Sequence, residues 1–147
     1  MAEENIVNYR FASIAALADW NIVMGLQFEN LVVNNAMALL PFLHIGNAVV
    51  ESAAPYRNTR RDPGAGNGCQ IDLLIQTPRT AYIVEIKRRR EIGIEVIDEV
   101  ERKIKRLPLR KGMSSRPVLV FDVELHPAVE ASGYFDAVVP FRRLLGL

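Results

Sequence analysis

Acidic and basic side chains interrupt two apolar segments in the middle of the chain, and their types are those of a divalent-cation site. Asp72 lies within the apolar run 71–75, and Glu85 and Lys87 alternate with apolar residues in the run 80–88. Both runs have the composition of a half-buried β-strand, where an unpartnered carboxylate is costly. Two carboxylates beside a lysine offer Mg²⁺ oxygen ligands, which waters and a substrate phosphate complete. The lysine would orient an attacking water or stabilise charge on the phosphate.

These side chains meet only if the two runs pair as a hairpin. A hairpin symmetric about the bond between residues 78 and 79 pairs Leu74 with Ile83 and sets Asp72 directly opposite Glu85. The Cβ atoms of such a pair are roughly 5 Å apart, and like charges there destabilise a sheet. The lysine stays on the same face because strand side chains alternate. A cross-strand ion pair between the lysine and one acid is the alternative interpretation, and it stays open on this pattern alone.

A third acid comes from a helical segment nearer the N-terminus. Apolar residues at positions 28, 32, 33, 36, 37 and 40 form a helical stripe, which Pro41 should end or kink. Glu29 occupies this stripe beside Val32, so we expect it to point towards the sheet. A carboxylate in that position needs a cation or a hydrogen-bond donor. The alternative is a glutamate at the edge of the stripe that reaches solvent.

The remaining pattern predicts an α/β fold with a mixed central sheet, antiparallel in its first hairpins, and helices on both faces. The predicted order is a helix, three strands, a helix, a strand, and then a strand and tail. The apolar stripe predicted for the helix 94–107 is Ile94, Ile97, Val100, Ile104 and Leu107. Offset charge pairs, including Glu99 with Lys103, are typical of the solvated face of such a helix. Strands are predicted at 48–57, 69–76, 80–88, 117–123 and 136–140.

In this order and spacing the chain resembles the PD-(D/E)XK nuclease superfamily. The residues that carry the resemblance are Glu29 in "FENLVVNN", Asp72 in "IDLLI", and Glu85 and Lys87 in "VEIK". The resemblance implies a restriction-endonuclease-like αβββαβ core. It also implies that Asp72 and Glu85 bind Mg²⁺ or Mn²⁺, joined by Glu29 and the backbone carbonyl of Ile86, and that Lys87 assists catalysis. The implied activity is hydrolysis of DNA phosphodiester bonds by a metal-activated water, leaving 5′-phosphates.

A narrower resemblance concerns the context of the domain. The segment "GLQFENLVVNN" with the two strand motifs is similar to the C-terminal domain of many prokaryotic AAA-type ATPases. This implies a nuclease-like domain over 25–147 and an N-terminal helical segment over 1–24, at the junction to an ATPase part. The phosphate-loop motif of an ATPase does not occur in the sequence. The implied partners are DNA, an ATPase domain in cis or in trans, and a second copy in a homodimer. The alternative function is a catalytically silent DNA-binding, regulatory or dimerisation module.

Basic residues flank the two motif strands, and we expect them to contact DNA phosphates. The alternative is that they are solvated charges at strand ends. The predicted contacts are Arg88, Arg89 and Arg90 after the second strand and Arg57, Arg60 and Arg61 before the first.

Composition limits the class of protein. The 147 residues suit one domain, and the formal net charge of +1 means that any surface for nucleic acid is local. The one cysteine, Cys69, excludes an intrachain disulfide framework and a cysteine-rich zinc site. The sequence has no apolar run of membrane-spanning length and no signal-type N-terminus. We therefore expect a cytoplasmic protein that does not enter a membrane.

Overall fold

The computed structural model describes residues 20–58, 68–88 and 91–144, with side chains described from residue 26 onwards. Most of the predicted N-terminal helical segment 1–24 lies outside these residues, so its role as a junction stays a prediction. In the described part of the chain, no helix has the length and apolar character needed to cross a membrane.

A five-stranded mixed sheet is the centre of the fold. Its strands lie side by side in chain order; the first two pairings are antiparallel and the last two are parallel. The strands are β1 (Ser52–Asn58), β2 (Cys69–Gln76), β3 (Thr80–Lys87), β4 (Ser114–Phe121) and β5 (Ala137–Pro140). The helices are α1 (Trp20–Asn34), a 3₁₀ segment (Ala36–Phe42), α2 (Glu95–Arg106), α3 (Pro127–Ala131) and α4 (Phe141–Leu144). The predicted α/β class and the αβββαβ order are confirmed.

Helices cover both faces of the sheet, as a mixed sheet with buried central strands requires. On one face, Phe28 and Val32 of α1 and Leu39 of the 3₁₀ segment pack against side chains of β2, β3 and β4. On the other face, Val96 and Val100 of α2 pack against the alternate side chains of those strands. Residues 81–86 of β3 are buried throughout, so Glu85 lies between the layers, and Lys87 is partly buried at the end of the strand.

The first helix is shorter than its apolar stripe predicts. The α-helix ends at Asn34, and the 3₁₀ segment continues the chain with Pro41 inside it. The backbone N–H of Asn35 still donates to the carbonyl of Leu31 at 3.1 Å, and its side-chain Nδ2 donates to the same carbonyl at 2.8 Å, so this residue closes the last turn of the helix. The prediction that Pro41 ends or kinks the α-helix was wrong in position, because the change to 3₁₀ geometry occurs before it.

The hairpin of β2 and β3 has the predicted register over part of its length. Leu74 pairs with Ile83, as the symmetric hairpin predicts, but the ladder ends one pair later, at Leu73 and Val84. On its other side β2 shifts register against β1, as in a β-bulge. The predicted opposition of Asp72 and Glu85 as ladder partners was therefore wrong. Asp72 lies within this irregularity, between Leu74, which pairs with Ala54, and Ile71, which pairs with Tyr56.

The predicted stripe of helix α2 is confirmed except at its first residue, since Val100 and Leu107 are buried and Ile97 and Ile104 pack against the core beside them. The helix buries Val96 and Val100, whereas the side chain of Ile94 is 59% exposed. The sheet-facing line therefore runs through positions 96, 100 and 103 to the buried Leu107. Lys103 lies on this line and contacts Glu85 of β3, so the prediction that it lies on a solvated face was wrong.

Candidate active site

A buried glutamate lies at the centre of the candidate site. Glu85 on β3 is 1% exposed and contacts two ammonium groups. Lys103 Nζ donates to Glu85 Oε2 at 2.8 Å and to Oε1 at 3.0 Å. Lys87 Nζ lies 3.1 Å from Glu85 Oε1. Two lysines thus compensate a carboxylate whose burial without partners would be strongly unfavourable.

Lys87 bridges two carboxylates from different elements. Its Nζ contacts Glu85 on its own strand and lies 2.8 Å from Glu99 Oε2 on α2. Burial acts to lower the pKa of Lys87, but the hydrogen bonds and charges of Glu99 and Glu85 outweigh burial, and the pKa is raised. Lys87 is therefore a persistent cation at neutral pH. It can donate a hydrogen bond or stabilise negative charge, but it cannot accept a proton as a general base.

The side chain of Asp72 forms a hydrogen bond across the end of the hairpin. Its Oδ2 accepts the backbone N–H of Ile86 at 2.9 Å, at the point where the regular ladder has ended. Burial, and then the negative charge of Glu85, raise the pKa of Asp72 to about 6, against an ordinary value of 3.8. The two carboxylates are thus close enough to repel each other, even though they are not ladder partners.

Glu29 reaches the same cluster from α1. Its side chain is half-buried, as its position in the stripe predicts. Burial and the charge of Glu85 raise the pKa of Glu29, while the charges of Lys87 and Lys103 act to lower it. Of the four side chains expected at the site, Glu85 and Lys87 are in direct contact, whereas Asp72 and Glu29 interact with Glu85 through charge.

The chemistry of this carboxylate cluster suits a divalent cation, but its present arrangement does not assemble a complete site. Glu29, Asp72, Glu85 and Glu99 supply the oxygen donors that Mg²⁺ prefers, and they outnumber the two lysines. Across residues 20–58, 68–88 and 91–144, however, no three His, Cys, Asp or Glu side chains are grouped to hold one metal ion. Both oxygens of Glu85 face lysine instead.

Two of the six arginines predicted to contact DNA lie in the described part of the chain. Arg88 Nε lies 3.3 Å from Asp122 Oδ2, in an ion pair at the end of β3. Arg57 is exposed on β1, the edge strand. The other four residues lie outside the described part of the chain: Arg60, Arg61, Arg89 and Arg90.

Sequence reasoning missed Lys103 and assigned Glu99 mainly to a solvent-facing surface. A signal for both exists in the spacing of α2, since Val96, Val100 and Leu107 form an inward line that passes through position 103. A lysine in such a line needs a buried acid as its partner. Glu85, on the strand that precedes the helix, is that acid.

Comparisons with known proteins give two structural similarities. No protein-family model matches the chain, and no curated protein matches it either. One similar solved structure is a repair endonuclease from Pyrococcus abyssi, with a TM-score of 0.45, 15% sequence identity and 75% of this chain covered. Another is a protein of unknown function, with a TM-score of 0.45, 10% identity and the same coverage. The chain spans only 42% of the first protein and 56% of the second.

Proposed function

We propose that this chain is a nuclease-like domain that hydrolyses DNA phosphodiester bonds with the help of Mg²⁺ or Mn²⁺. The observation that supports the proposal is the contact of Lys87 with the buried Glu85, with which Asp72 and Glu29 from two further elements interact through charge. Three carboxylates and a lysine at one place in the fold require a strong reason, because like charges in a partly buried site oppose folding. Binding a cation and a phosphate is such a reason.

In this proposal Asp72 and Glu85 hold the divalent ion, with Glu29 and the backbone carbonyl of Ile86 as further ligands. A bound Mg²⁺ or Mn²⁺ supplies positive charge beside the scissile phosphate and makes a nearby water more acidic. The hydrogen bond from the N–H of Ile86 fixes the Asp72 carboxylate at the open end of the hairpin. This keeps one acid in place before any ion is present, which limits the reorganisation that binding requires.

Lys87 acts as a cation in the proposed reaction. Glu85 and Glu99 keep its ammonium group protonated and hold it between β3 and α2. From there it donates a hydrogen bond to the attacking water or to a phosphate oxygen. It also stabilises the charge that develops on the phosphate in the transition state.

A second candidate function is a DNA-binding or regulatory module without catalysis, such as one that serves an ATPase partner. The observation that favours it is the saturation of Glu85 by Lys87 and Lys103. In this alternative the lysines are permanent partners of the buried acid. The cluster would then stabilise the fold, and no metal would enter.

A cleavage assay separates the two candidates. The purified chain is incubated with Mg²⁺ or Mn²⁺ and with single-stranded, duplex, flap and junction DNA. We expect metal-dependent cutting of at least one substrate, with products that carry 5′-phosphates. The variant Glu85→Gln should lose the activity, because it removes a ligand while keeping the size of the side chain.

The matched control is Glu124→Gln, which makes the same chemical change at an exposed residue of the described structure. It should cut as the wild type does. Cutting by Glu85→Gln at the wild-type rate would assign the activity to a contaminant. An intact set of substrates after incubation with the wild type and either metal would favour the module without catalysis.

A further inference from the structure

A basic cleft adjoins the carboxylate cluster. It has a volume of about 340 Å³ and lies between the beginning of β2 and the C-terminal half of α2. Its lining includes Cys69 and Gln70 from β2 and Glu99, Arg102, Lys103 and Arg106 from α2. Glu99 and Lys103 also belong to the cluster, through their bonds to Lys87 and Glu85. The cleft and the candidate active site therefore share a wall.

Two arginines give the cleft its unbalanced charge. Lys103 is engaged by Glu85, and Glu99 contacts Lys87. Arg102 and Arg106 lie one helical turn apart, both exposed, and Arg102 Nε donates only to the carbonyl of Asp98, at 3.2 Å. Within the described residues neither guanidinium forms an ion pair with a carboxylate. Two guanidinium groups on one side of a cleft are free to bind an anion from solvent.

Cys69, which lines the cleft, lies close to its basic residues. Burial raises the pKa of the Cys69 thiol, and the charges of Lys103 and Arg106 act in the opposite direction. The thiol also donates to the backbone carbonyl of Lys103 at 3.4 Å, which ties this turn of α2 to β2. The arginines are therefore carried on a helix that packs firmly on the sheet beside the cluster.

We propose that this cleft is a phosphate-binding subsite, in which Arg102 and Arg106 hold a DNA backbone phosphate next to the one at the carboxylate cluster. The inference rests on the proposed function, which supplies the nucleic acid. A guanidinium group offers paired N–H donors that match two phosphate oxygens, and it stays charged at any physiological pH. Because Glu99 and Lys103 belong to both sites, two phosphates of the same DNA strand would occupy them together in this proposal.

The competing explanation for these arginines is purely structural. Basic residues in the last turn of a helix stabilise the negative end of its dipole. The last turn of α2 contains Lys103, Lys105 and Arg106. Lys105 is exposed and does not line the cleft. It can therefore interact with the helix dipole but cannot contact a phosphate bound in the cleft. It is therefore the matched control for the test.

The test is the binding of a fluorescently labelled DNA oligonucleotide in EDTA, measured by anisotropy over a series of salt concentrations. Each lost phosphate contact should weaken binding roughly tenfold near 0.1 M salt and flatten the salt slope by about 0.7 to 0.9. The double variant Arg102→Gln/Arg106→Gln loses two contacts, so its binding should be roughly a hundredfold weaker and its salt slope flatter by about 1.4 to 1.8. Lys105→Gln should bind as the wild type does. Denaturation curves establish that each variant is folded.

Three results would overturn the subsite. They are a double variant that binds with wild-type affinity and slope, a Lys105→Gln variant that loses as much per residue, and a wild type that does not bind DNA. Because EDTA removes the metal, the test does not depend on cleavage. Arginine-dependent binding by a protein that cuts no substrate would support the subsite and contradict the hydrolytic function. If the protein cleaves DNA and its arginine variants bind normally, the hydrolytic function is supported and the subsite is contradicted.

Discussion

The ammonium group of Lys103 lies 2.8 Å from one carboxylate oxygen of Glu85 and 3.0 Å from the other. The two residues come from α2 and β3, and the pair joins the helix to the strand below it. Glu85 is also the residue expected to bind a divalent ion. Since Lys103 and Lys87 already occupy acceptor positions on both Glu85 oxygens and repel a cation, we expect Lys103 and the proposed metal to compete for Glu85.

Replacing Lys103 by methionine tests this competition. Without metal, the variant should be less stable than the wild type. Removing one partner of a buried ion pair costs about 3–5 kcal/mol when the other charge is left alone. Lys87 remains beside Glu85, so we expect a loss of roughly 2 kcal/mol in the free energy of unfolding, measured with urea.

The same variant should bind Mn²⁺ more tightly than the wild type, by at least about tenfold in calorimetric titration, since that corresponds to only about 1.4 kcal/mol. Lys105→Met, a lysine on the same helix that faces solvent, is the control and should change neither quantity. Weaker Mn²⁺ binding by Lys103→Met would mean that Lys103 helps to build the site and does not compete for it.

Lys87 should be required for cleavage and dispensable for DNA binding. Lys87→Met removes the cation that we assign to the reaction, so the rate of cleavage should fall by about 100-fold or more. Lys87→Arg keeps the charge between Glu85 and Glu99 and should recover part of the rate. Single-turnover cleavage and metal-free DNA binding are measured on both variants. If Lys87→Met cuts at the wild-type rate, Lys87 is only an ion-pair partner.

The fold could be predicted in detail, and the composition of the site in part. Nearly continuous apolar runs bounded by turn residues located β2 and β3 within a residue, because both strands are buried on both faces. The register failed at Asp72, since a β-bulge depends on contacts with two neighbouring strands that one strand's pattern does not encode. The apolar stripe of α2 was predicted correctly at positions 97, 100, 104 and 107. The inward position of Lys103 was not predicted, because its partner Glu85 lies on another element and hydrophobic spacing does not encode that contact.

The raised pKa of Asp72 predicts how the stability of the metal-free protein varies with pH. The Asp72 carboxyl group keeps its proton up to about pH 6 in the folded protein, whereas the ordinary pKa of an aspartate is 3.8. Below pH 3.8 Asp72 is protonated in both the folded and the unfolded protein, and its ionisation costs the folded state nothing. Between pH 3.8 and about pH 6 the unfolded chain ionises first, so the free energy of unfolding decreases as the pH rises. A shift of this size corresponds to at most about 3 kcal/mol.

Asp72→Asn removes the ionisation and keeps an oxygen that can accept the N–H of Ile86. At pH 7 in EDTA the variant should therefore be more stable than the wild type. The two proteins should converge near pH 4. Denaturant titrations at several pH values measure the difference. A constant difference between pH 4 and pH 7 would show that Asp72 does not titrate in this range.

The arginines after β3 should differ in their contribution to DNA binding. Arg88 is held by Asp122, so Arg88→Gln should leave the salt dependence of binding almost unchanged. If Arg89 and Arg90 contact phosphates as the sequence predicts, replacing both by glutamine should flatten the salt slope by about 1.4 to 1.8. Anisotropy titrations in EDTA measure both slopes. Equal effects of Arg88 and its two neighbours would show that the ion pair with Asp122 opens when DNA binds.

The most direct test of the central claim is the effect of Mn²⁺ on the melting temperature of the protein bound to a short DNA duplex. At a hundredfold excess over its dissociation constant, Mn²⁺ should stabilise the wild type by about 2.7 kcal/mol. Asp72→Asn and Glu85→Gln should lose most of this increment, and Glu124→Gln should keep it. A melting temperature that Mn²⁺ leaves unchanged in the wild type, or raises equally in all four proteins, would contradict a metal site at Asp72 and Glu85.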